Sequence, residues 1–150
     1  MARRIFLPII LVLTVFPVTV FLCGASIWIY FDLPSLILVP VAPFFFMVLS
    51  SGWKGVSAAF IAPFRTEATR RDLSLSVSFF KNFGMAIWSF GALGSTSGLI
   101  AILAYLTDKT KIGPNAAVAL ITMLYAAIFN LVLVLPFLSS LRYKVAKMES

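Results

Sequence analysis

The sequence predicts an all-α membrane protein with four transmembrane helices and both termini in the cytoplasm. Hydrophobic residues make up 61% of the 150 residues and charged residues only 11%. A water-soluble domain of this length cannot bury so much apolar surface. The apolar residues form separate runs, and the basic residues flank them, with only Lys109 and Lys111 on the outer side. The net charge of +7 is therefore explained by membrane topology, and no nucleic-acid partner is predicted.

Four runs are long enough to be transmembrane helices, which need roughly 20 residues each. They cover residues 5–31, 33–49, 85–106 and 116–138, and with a cytoplasmic loop at 50–84 they form a single membrane domain of residues 1–150. The first run follows Arg3 and Arg4, so a signal peptide is the alternative. Its apolar stretch is too long for that, and no A-x-A-like cleavage site follows. We therefore interpret the first run as a retained helix.

The second run and the following loop are the least regular parts of the predicted fold. The second run is the shortest and contains Pro40 and Pro43, which remove backbone donors and kink a helix. In the loop, a helical reading places Glu67 one turn before Arg71, where the two charges attract each other. Residues 73–79 alternate like a strand, but a lone strand would leave backbone groups unpaired, so we predict a helix. A turn is expected at residues 113–115, before the fourth run.

The third run contains an unusual segment, GALGSTSGLI at residues 91–100, which is rich in glycines and hydroxyl residues. On a helix, four glycines share one face or its edge: Gly84, Gly91, Gly94 and Gly98. Such a face lets a second helix approach closely. Ser95 falls on the same face and Thr96 on the far side. The hydroxyls either bond to carbonyls of the preceding turn or line a pore, and the residues alone favour packing.

The fourth run has a weakly polar arc that contains Ala119, Thr122, Ala126 and Asn130. The side-chain amide of Asn130 is unfavourable against lipid, so we expect it to face protein or water. Two interpretations of Asn130 remain open: it forms a hydrogen bond between helices, or it lies on an ion path. None of the five acidic residues lies inside a run, although proton relays in transporters normally need an intramembrane carboxylate. Any titrating group must therefore come from another subunit.

The residue inventory argues against an enzyme. The chain has no histidine, and Cys23 is its single cysteine. This excludes Cys/His nucleophile pairs, metal clusters built from these residues and internal disulfides. No catalytic residue, metal site or cofactor is predicted.

Two segments of the sequence resemble the MotA/TolQ/ExbB family, the channel-forming subunits of ion-driven membrane motors. Residues 91–100 are similar to the family run G-x-x-G-T-x-x-G-L. Residues 117–126 (AVALITMLYA), followed by Leu135 and Pro136, are similar to A-V-A-L-x-T-T-L-Y-G and its closing L-P. The good match covers residues 84 to 136, and a weaker likeness to the MotA branch lies at residues 32–39 (DLPSLILV).

The resemblance implies an inner-membrane homopentamer around a central pore, which holds helices of a smaller single-span partner with an intramembrane aspartate. The third and fourth helices line that pore in the family. The family threonines fall on Ser95, Thr122 and Met123, the last of which has lost the hydroxyl, and Ala126 replaces the usual glycine. The candidate pore-lining residues are Ser95, Thr96, Thr122 and Asn130. The candidate packing and oligomer residues are Gly84, Gly91, Gly94, Gly98 and Ala126.

The predicted function is therefore the channel-forming subunit of an ion-driven motor or proton channel, conducting H⁺ or Na⁺ with an aspartate-bearing partner. A flagellar stator role is disfavoured, because the short loop at residues 50–84 stands where flagellar MotA subunits carry a long cytoplasmic domain. Met123 favours one alternative, a non-conducting scaffold subunit of a related envelope complex. An unrelated small four-helix transporter is the other alternative.

Overall fold

The computed structural model describes residues 2–65 and 68–148, and these residues form helices joined by short connections. The α-helices are α1 (Ala2–Leu22), α2 (Leu33–Leu38), α3 (Val41–Ile61), α4 (Arg70–Ala104), α5 (Lys109–Phe129) and α6 (Leu135–Lys147). A 3-10 helix covers Ile27–Tyr30, and a π-helix at Asn130–Val134 joins α5 to α6. Within the described residues, four stretches are long and apolar enough to cross a membrane: Arg3–Leu22, Leu33–Ile61, Arg70–Ala104 and Lys109–Lys147. The all-helical fold with four such stretches is confirmed.

Helix α4 lies at the centre of the bundle and contacts α2, α3, α5 and α6, while α1 packs on α6 and the π-helix. One end of the bundle, here called the basic end, is where α1 and α4 begin and α3 and α6 end. There the guanidinium of Arg4 lies 3.6 Å from the ring centre of Tyr143. The ammonium of Lys144 donates to the carbonyls of Ala62, at 3.4 Å, and of Arg65. These contacts join three helices at the basic end.

Helix α1 ends at Leu22, so the regular helix is shorter than the predicted run of residues 5–31. Gly24 has a φ of 67°, the left-handed conformation that glycine adopts without strain. Its amide donates to the carbonyl of Phe21 at 3.0 Å, and the amide of Ala25 donates to that of Val20 at 3.2 Å. This pattern of two bonds closes a helix C-terminus, and Gly24, which lies inside the predicted run, was its signal in the sequence.

The second predicted run is split, and its second half extends well beyond residue 49. Helix α2 begins after Asp32, whose carboxylate accepts a hydrogen bond from the amide of Ser35 at 2.9 Å. It ends before Pro40, and α3 then continues to Ile61. Within α3, Gly52 has a φ of 70° and a ψ of 160°, which kinks the helix. The irregularity expected from the prolines is therefore real, and a glycine adds to it.

Most of the predicted loop at residues 50–84 is helical, since α3 continues to Ile61 and α4 begins at Arg70. Helix α4 begins at Arg70 behind a capping box, in which Thr69 and Asp72 each accept a hydrogen bond from the other's backbone amide at 3.2 Å. The helix predicted at residues 73–79 is confirmed. The expected pair of Glu67 and Arg71 lies outside the described residues. The capping box satisfies two backbone amides at the start of α4. This explains why the helix begins at Arg70, well before the third predicted run.

Helix α5 also begins earlier than predicted, at Lys109, and no turn forms at residues 113–115. The carboxylate of Asp108 caps the helix by accepting a hydrogen bond from the amide of Thr110 at 3.2 Å. Pro114 lies in the second turn of the helix, where its missing amide hydrogen removes a single backbone bond. The prediction gave this proline too much weight as a helix breaker.

The π-helix at Asn130–Val134 lies directly before Pro136. The amide of Leu135 donates to the carbonyl of Asn130, five residues earlier, instead of four as in an α-helix. Pro136 has no amide hydrogen, and its ring would collide with a carbonyl of the preceding turn in a regular α-helix. The wider π turn is a common way to pass such a position, and it carries the chain from α5 into α6 without a break.

Candidate functional site

The glycine face of α4 packs against α5 of the same chain. A Cβ atom added to Gly91 would lie 2.5 Å from the Cβ atom of Ala126, and one added to Gly98 would lie 2.8 Å from that of Ala119. Both distances are far shorter than any normal contact between carbon atoms. The close helix packing expected of this face is therefore present within one chain, where α5 covers the face that was also expected to contribute to oligomer contacts.

Thr122 is buried where α2, α4 and α5 meet. Its Oγ1 donates to the carbonyl of Val118 at 2.6 Å and lies 2.7 Å from Oγ of Ser35. Thr122 has one hydroxyl hydrogen, so Ser35 is the donor in the second bond. The methyl group of Thr122 points at Gly94, since a Cβ atom on that glycine would lie 2.5 Å from Cγ2. The hydroxyl of Thr122 is thus directed into the subunit.

Ser35 and Tyr125 belong to the same polar cluster, and the sequence analysis missed both. The hydroxyl of Tyr125 donates to the carbonyl of Tyr30 at 2.5 Å and accepts from the amide of Asp32 at 3.2 Å. Together with the bond between Ser35 and Thr122, these contacts fasten the segment between α1 and α2 to α5. Thr122 and Tyr125 are three residues apart and therefore share one helix face. This spacing is the sequence pattern from which the cluster could have been predicted.

Asn130 is buried at the end of α5, next to Gly84. Its Nδ2 donates to the carbonyl of Ala126 at 3.1 Å. Its Oδ1 lies 2.9 Å from the position of a Cβ atom on Gly84. The amide therefore faces protein, and the hydrogen bond that it donates stays within its own helix.

The remaining candidates differ in exposure. Thr96 is exposed on α4, on the side away from the glycine face, whereas Ser95 is half-buried beside that face. The neighbouring Ser97 is also exposed, but its hydroxyl donates to the carbonyl of Leu93 at 2.9 Å. Met123, at the position of the second family threonine, is 38% exposed. Thr122 and Asn130 thus point into the bundle, whereas the hydroxyl of Thr96 lies on the surface of α4.

The acidic residues of the described chain lie at helix starts. Asp32 and Asp108 cap α2 and α5, and Asp72 lies in the first turn of α4. The hydroxyl of Thr110 donates to Asp108 at 2.5 Å, and this bond lowers the pKa of the Asp108 carboxyl below its usual value of 3.8. All three carboxylates are engaged as helix caps. Among the described residues, no carboxylate lies along the middle of a long helix.

Comparisons with known proteins agree with this architecture. Residues 53–150 match the sequence profile described as the MotA/TolQ/ExbB proton channel family. The chain is 36% identical over 70 residues to "Chemotaxis protein PomA" of Vibrio alginolyticus, covering 42% of this chain and 28% of that protein. It is 36% identical over 77 residues to "Motility protein A" of Aquifex aeolicus, covering 51% of this chain and 30% of that protein.

A third relative, "Motility protein A" of Treponema phagedenis, is 37% identical over 65 residues, which cover 43% of this chain and 25% of that protein. The chain thus matches less than a third of the length of each of these relatives. The family profile, in contrast, extends from the second half of α3 to the end of the sequence and includes all of α4, α5 and α6. The chain belongs to the MotA/TolQ/ExbB proton channel family.

Proposed function

We propose that this chain is the channel-forming subunit of an ion-driven membrane motor and conducts H⁺ or Na⁺ together with a single-span partner that carries an intramembrane aspartate. The proposal rests on the packed pair of helices α4 and α5. The family match covers this unit completely, and its exposed surface presents the hydroxyl of Thr96. A titrating carboxylate from a partner would complete such a path, because hydroxyls can donate to an ionised acid or accept from a protonated one.

Among the four candidate pore residues, we assign the pore position to Thr96. Its hydroxyl lies on the surface of the subunit, whereas Thr122 and Asn130 are bonded inside it. Ser95, half-buried beside the glycine face, borders the path. We assign Thr122 and Asn130 to holding α5 in place against α2 and α4. In this assignment, Thr96 contacts the ion or the partner, while Thr122 and Asn130 position the helix.

The proposed assembly is an inner-membrane homopentamer with both termini of each subunit in the cytoplasm. The basic end of the bundle faces the cytoplasm in this arrangement, as the distribution of lysine and arginine favours. The glycine face is occupied by α5, so neighbouring subunits and the partner contact other surfaces. The exposed side of α4 that carries Thr96 is the surface proposed to face the partner.

Ion flux into liposomes that contain both subunits tests the proposal. We expect flux only when the partner is present, and we expect Thr96→Ala to reduce it while the complex still assembles. Ser97→Ala is the matched control, because its hydroxyl is exposed nearby but is bonded to its own helix. Flux from this chain alone, or equal flux from both variants, would contradict the assignment.

A non-conducting scaffold subunit is the second candidate function, and Met123 is the observation that favours it. The side chain is 38% exposed at a position where the family has a threonine. A thioether is only a weak hydrogen-bond acceptor, so it cannot replace a hydroxyl on an ion path. In this case the complex with the partner forms but carries no flux, and Met123→Thr is expected to create or increase conduction.

A further inference from the structure

We propose that a groove at the basic end of the subunit binds an anionic phospholipid, with the lipid phosphate at Arg65 and an acyl chain along the apolar wall. The groove has a volume of about 600 Å³ and lies between the second half of α3 and the first turns of α4. Its apolar walls include Ala58, Ala62, Leu75 and Phe79, and its polar lining consists of Arg65, Asp72, Asn82 and four serines. The proposal is independent of ion conduction.

Side-chain size explains why the groove exists. On one side, α3 presents Gly55, Ala58 and Ala62, which are too small to fill the space beside α4. On the other side, Leu75 and Phe79 of α4 provide larger apolar surfaces. The resulting channel is mostly apolar along its length. It suits a flexible hydrocarbon chain, which gains from apolar contact and requires no hydrogen bonds.

The length of α4 places the groove near the membrane surface. The helix has 35 residues, and at roughly 1.5 Å per residue it is longer than the hydrocarbon core of about 30 Å. The first turn of α4 carries Arg70, Arg71 and Asp72, so we place this end of the helix beyond the core, with the groove running along it.

The charge at the mouth of the groove favours an anion. The side chain of Arg65 is exposed there, and its backbone carbonyl accepts a hydrogen bond from Lys144, which brings a second cation close and fixes the chain. Among the described residues that line the groove, the acidic one is Asp72, which accepts hydrogen bonds from the hydroxyl of Thr69 at 2.6 Å and from its amide at 3.2 Å. Arg65 also interacts electrostatically with this carboxylate. With Lys144 beside it, two cations stand against one carboxylate among the described residues at the mouth of the groove.

These features together select among possible occupants. A zwitterionic lipid brings a cationic group that Arg65 and Lys144 repel. Free phosphate would leave the apolar wall unoccupied. An acidic peptide would leave part of its polar backbone against the alanine, leucine and phenylalanine side chains, since only the four serines and Asn82 of the lining could pair with it. An anionic phospholipid satisfies both parts of the groove, with its phosphate at the guanidinium and its chain on the wall.

The test uses the full-length chain in detergent, incubated with phosphatidylglycerol and phosphatidylcholine of identical acyl chains, with native mass spectrometry of the retained lipid. We expect preferential retention of phosphatidylglycerol. Arg65→Gln should lower its retention by about five-fold, the effect of one cation at an anionic surface. Arg142→Gln, an equal change of charge outside the groove, should leave retention unchanged. Ala58→Phe should fill the groove and reduce retention of both lipids.

Three results would overturn the proposal. Equal retention of the two lipids would show that headgroup charge plays no part. Equal losses in Arg65→Gln and Arg142→Gln would assign the effect to the overall surface charge. Displacement of phosphatidylglycerol by a glutamate-rich peptide would instead identify a protein partner as the occupant. Circular dichroism of each variant confirms that the helices are intact, and Arg65→Gln, an exposed substitution, keeps the test decisive if Ala58→Phe does not fold.

Discussion

At the scale of single residues, the hydrogen bond between Ser35 and Thr122 gives the clearest prediction. It joins α2 to α5 at 2.7 Å, and both hydroxyls are buried. Hydrogen bonds between transmembrane helices contribute about 0.6 kcal/mol on average and at most about 2 kcal/mol. We therefore expect Ser35→Ala to lower the free energy of unfolding by about 0.6–2 kcal/mol, measured by SDS titration in detergent micelles.

A double-mutant cycle separates this bond from general packing effects. Thr122→Val keeps the shape of the side chain, and Ser35→Ala combined with it should destabilise the protein by less than the sum of the two single changes. Thr14→Val is the control, since that hydroxyl is exposed and bonds to the carbonyl of Ile10 in its own helix, at 2.9 Å. Strict additivity would show that the two hydroxyls do not stabilise each other.

The cap of α5 predicts a dependence of stability on pH. The hydroxyl of Thr110 holds the pKa of Asp108 below its usual value of 3.8, so folding favours the ionised carboxylate. Its contribution is complete above that value and is lost as the pH falls through the lowered pKa of the folded state. Asp108→Asn retains a capping oxygen but cannot titrate. Thermal unfolding should therefore become less sensitive to acid in this variant than in the parent.

At the scale of elements, the packing of α4 on α5 depends on glycine. A Cβ atom at Gly91 would lie 2.5 Å from that of Ala126, so Gly91→Ala must push the helices apart, and such overpacking typically costs about 1–3 kcal/mol. Gly113→Ala is the matched control, because nothing lies within 4 Å of its added Cβ atom and alanine favours the helix. SDS titration should show a loss of stability in the first variant and none in the second.

A compensating change strengthens the same test. Replacing Ala126 by glycine removes the atom that the new methyl group would meet, so Gly91→Ala with Ala126→Gly should recover much of the stability lost in the single variant. If the double variant is no more stable than Gly91→Ala alone, the steric explanation fails.

Much of the element pattern was predictable, because hydrophobic runs and the spacing of small residues are local signals. The four helical stretches and the close packing of the glycine face follow from such signals. Helix ends depended on capping residues that were given too little weight: Gly24, Thr69 and Asp108. The bond between Ser35 and Thr122 could not be predicted, because it joins residues 87 positions apart and depends on how α2 folds back onto α5. The inward direction of the Thr122 hydroxyl follows from that contact.

At the scale of the whole molecule, the position of the glycine face changes what a disruptive substitution should do. Gly98 lies against Ala119 of the same chain, with 2.8 Å between their Cβ positions. Gly98→Leu should therefore loosen the subunit itself, and any loss of assembly should follow from that damage. Had this face joined subunits directly, the same change would separate folded subunits without destabilising them.

Native mass spectrometry of detergent-extracted protein, together with SDS titration, tests this prediction. We expect the unchanged chain to form a pentamer, and we expect Gly98→Leu to lower the subunit's stability along with the pentamer fraction. An exposed substitution on the same helix, Leu103→Ala, is the control and should leave the subunit's stability nearly unchanged, because its side chain is 67% exposed in the single chain. A monomer or dimer as the sole species would refute the pentamer. Intact stability of Gly98→Leu with loss of assembly would place the glycine face between subunits after all.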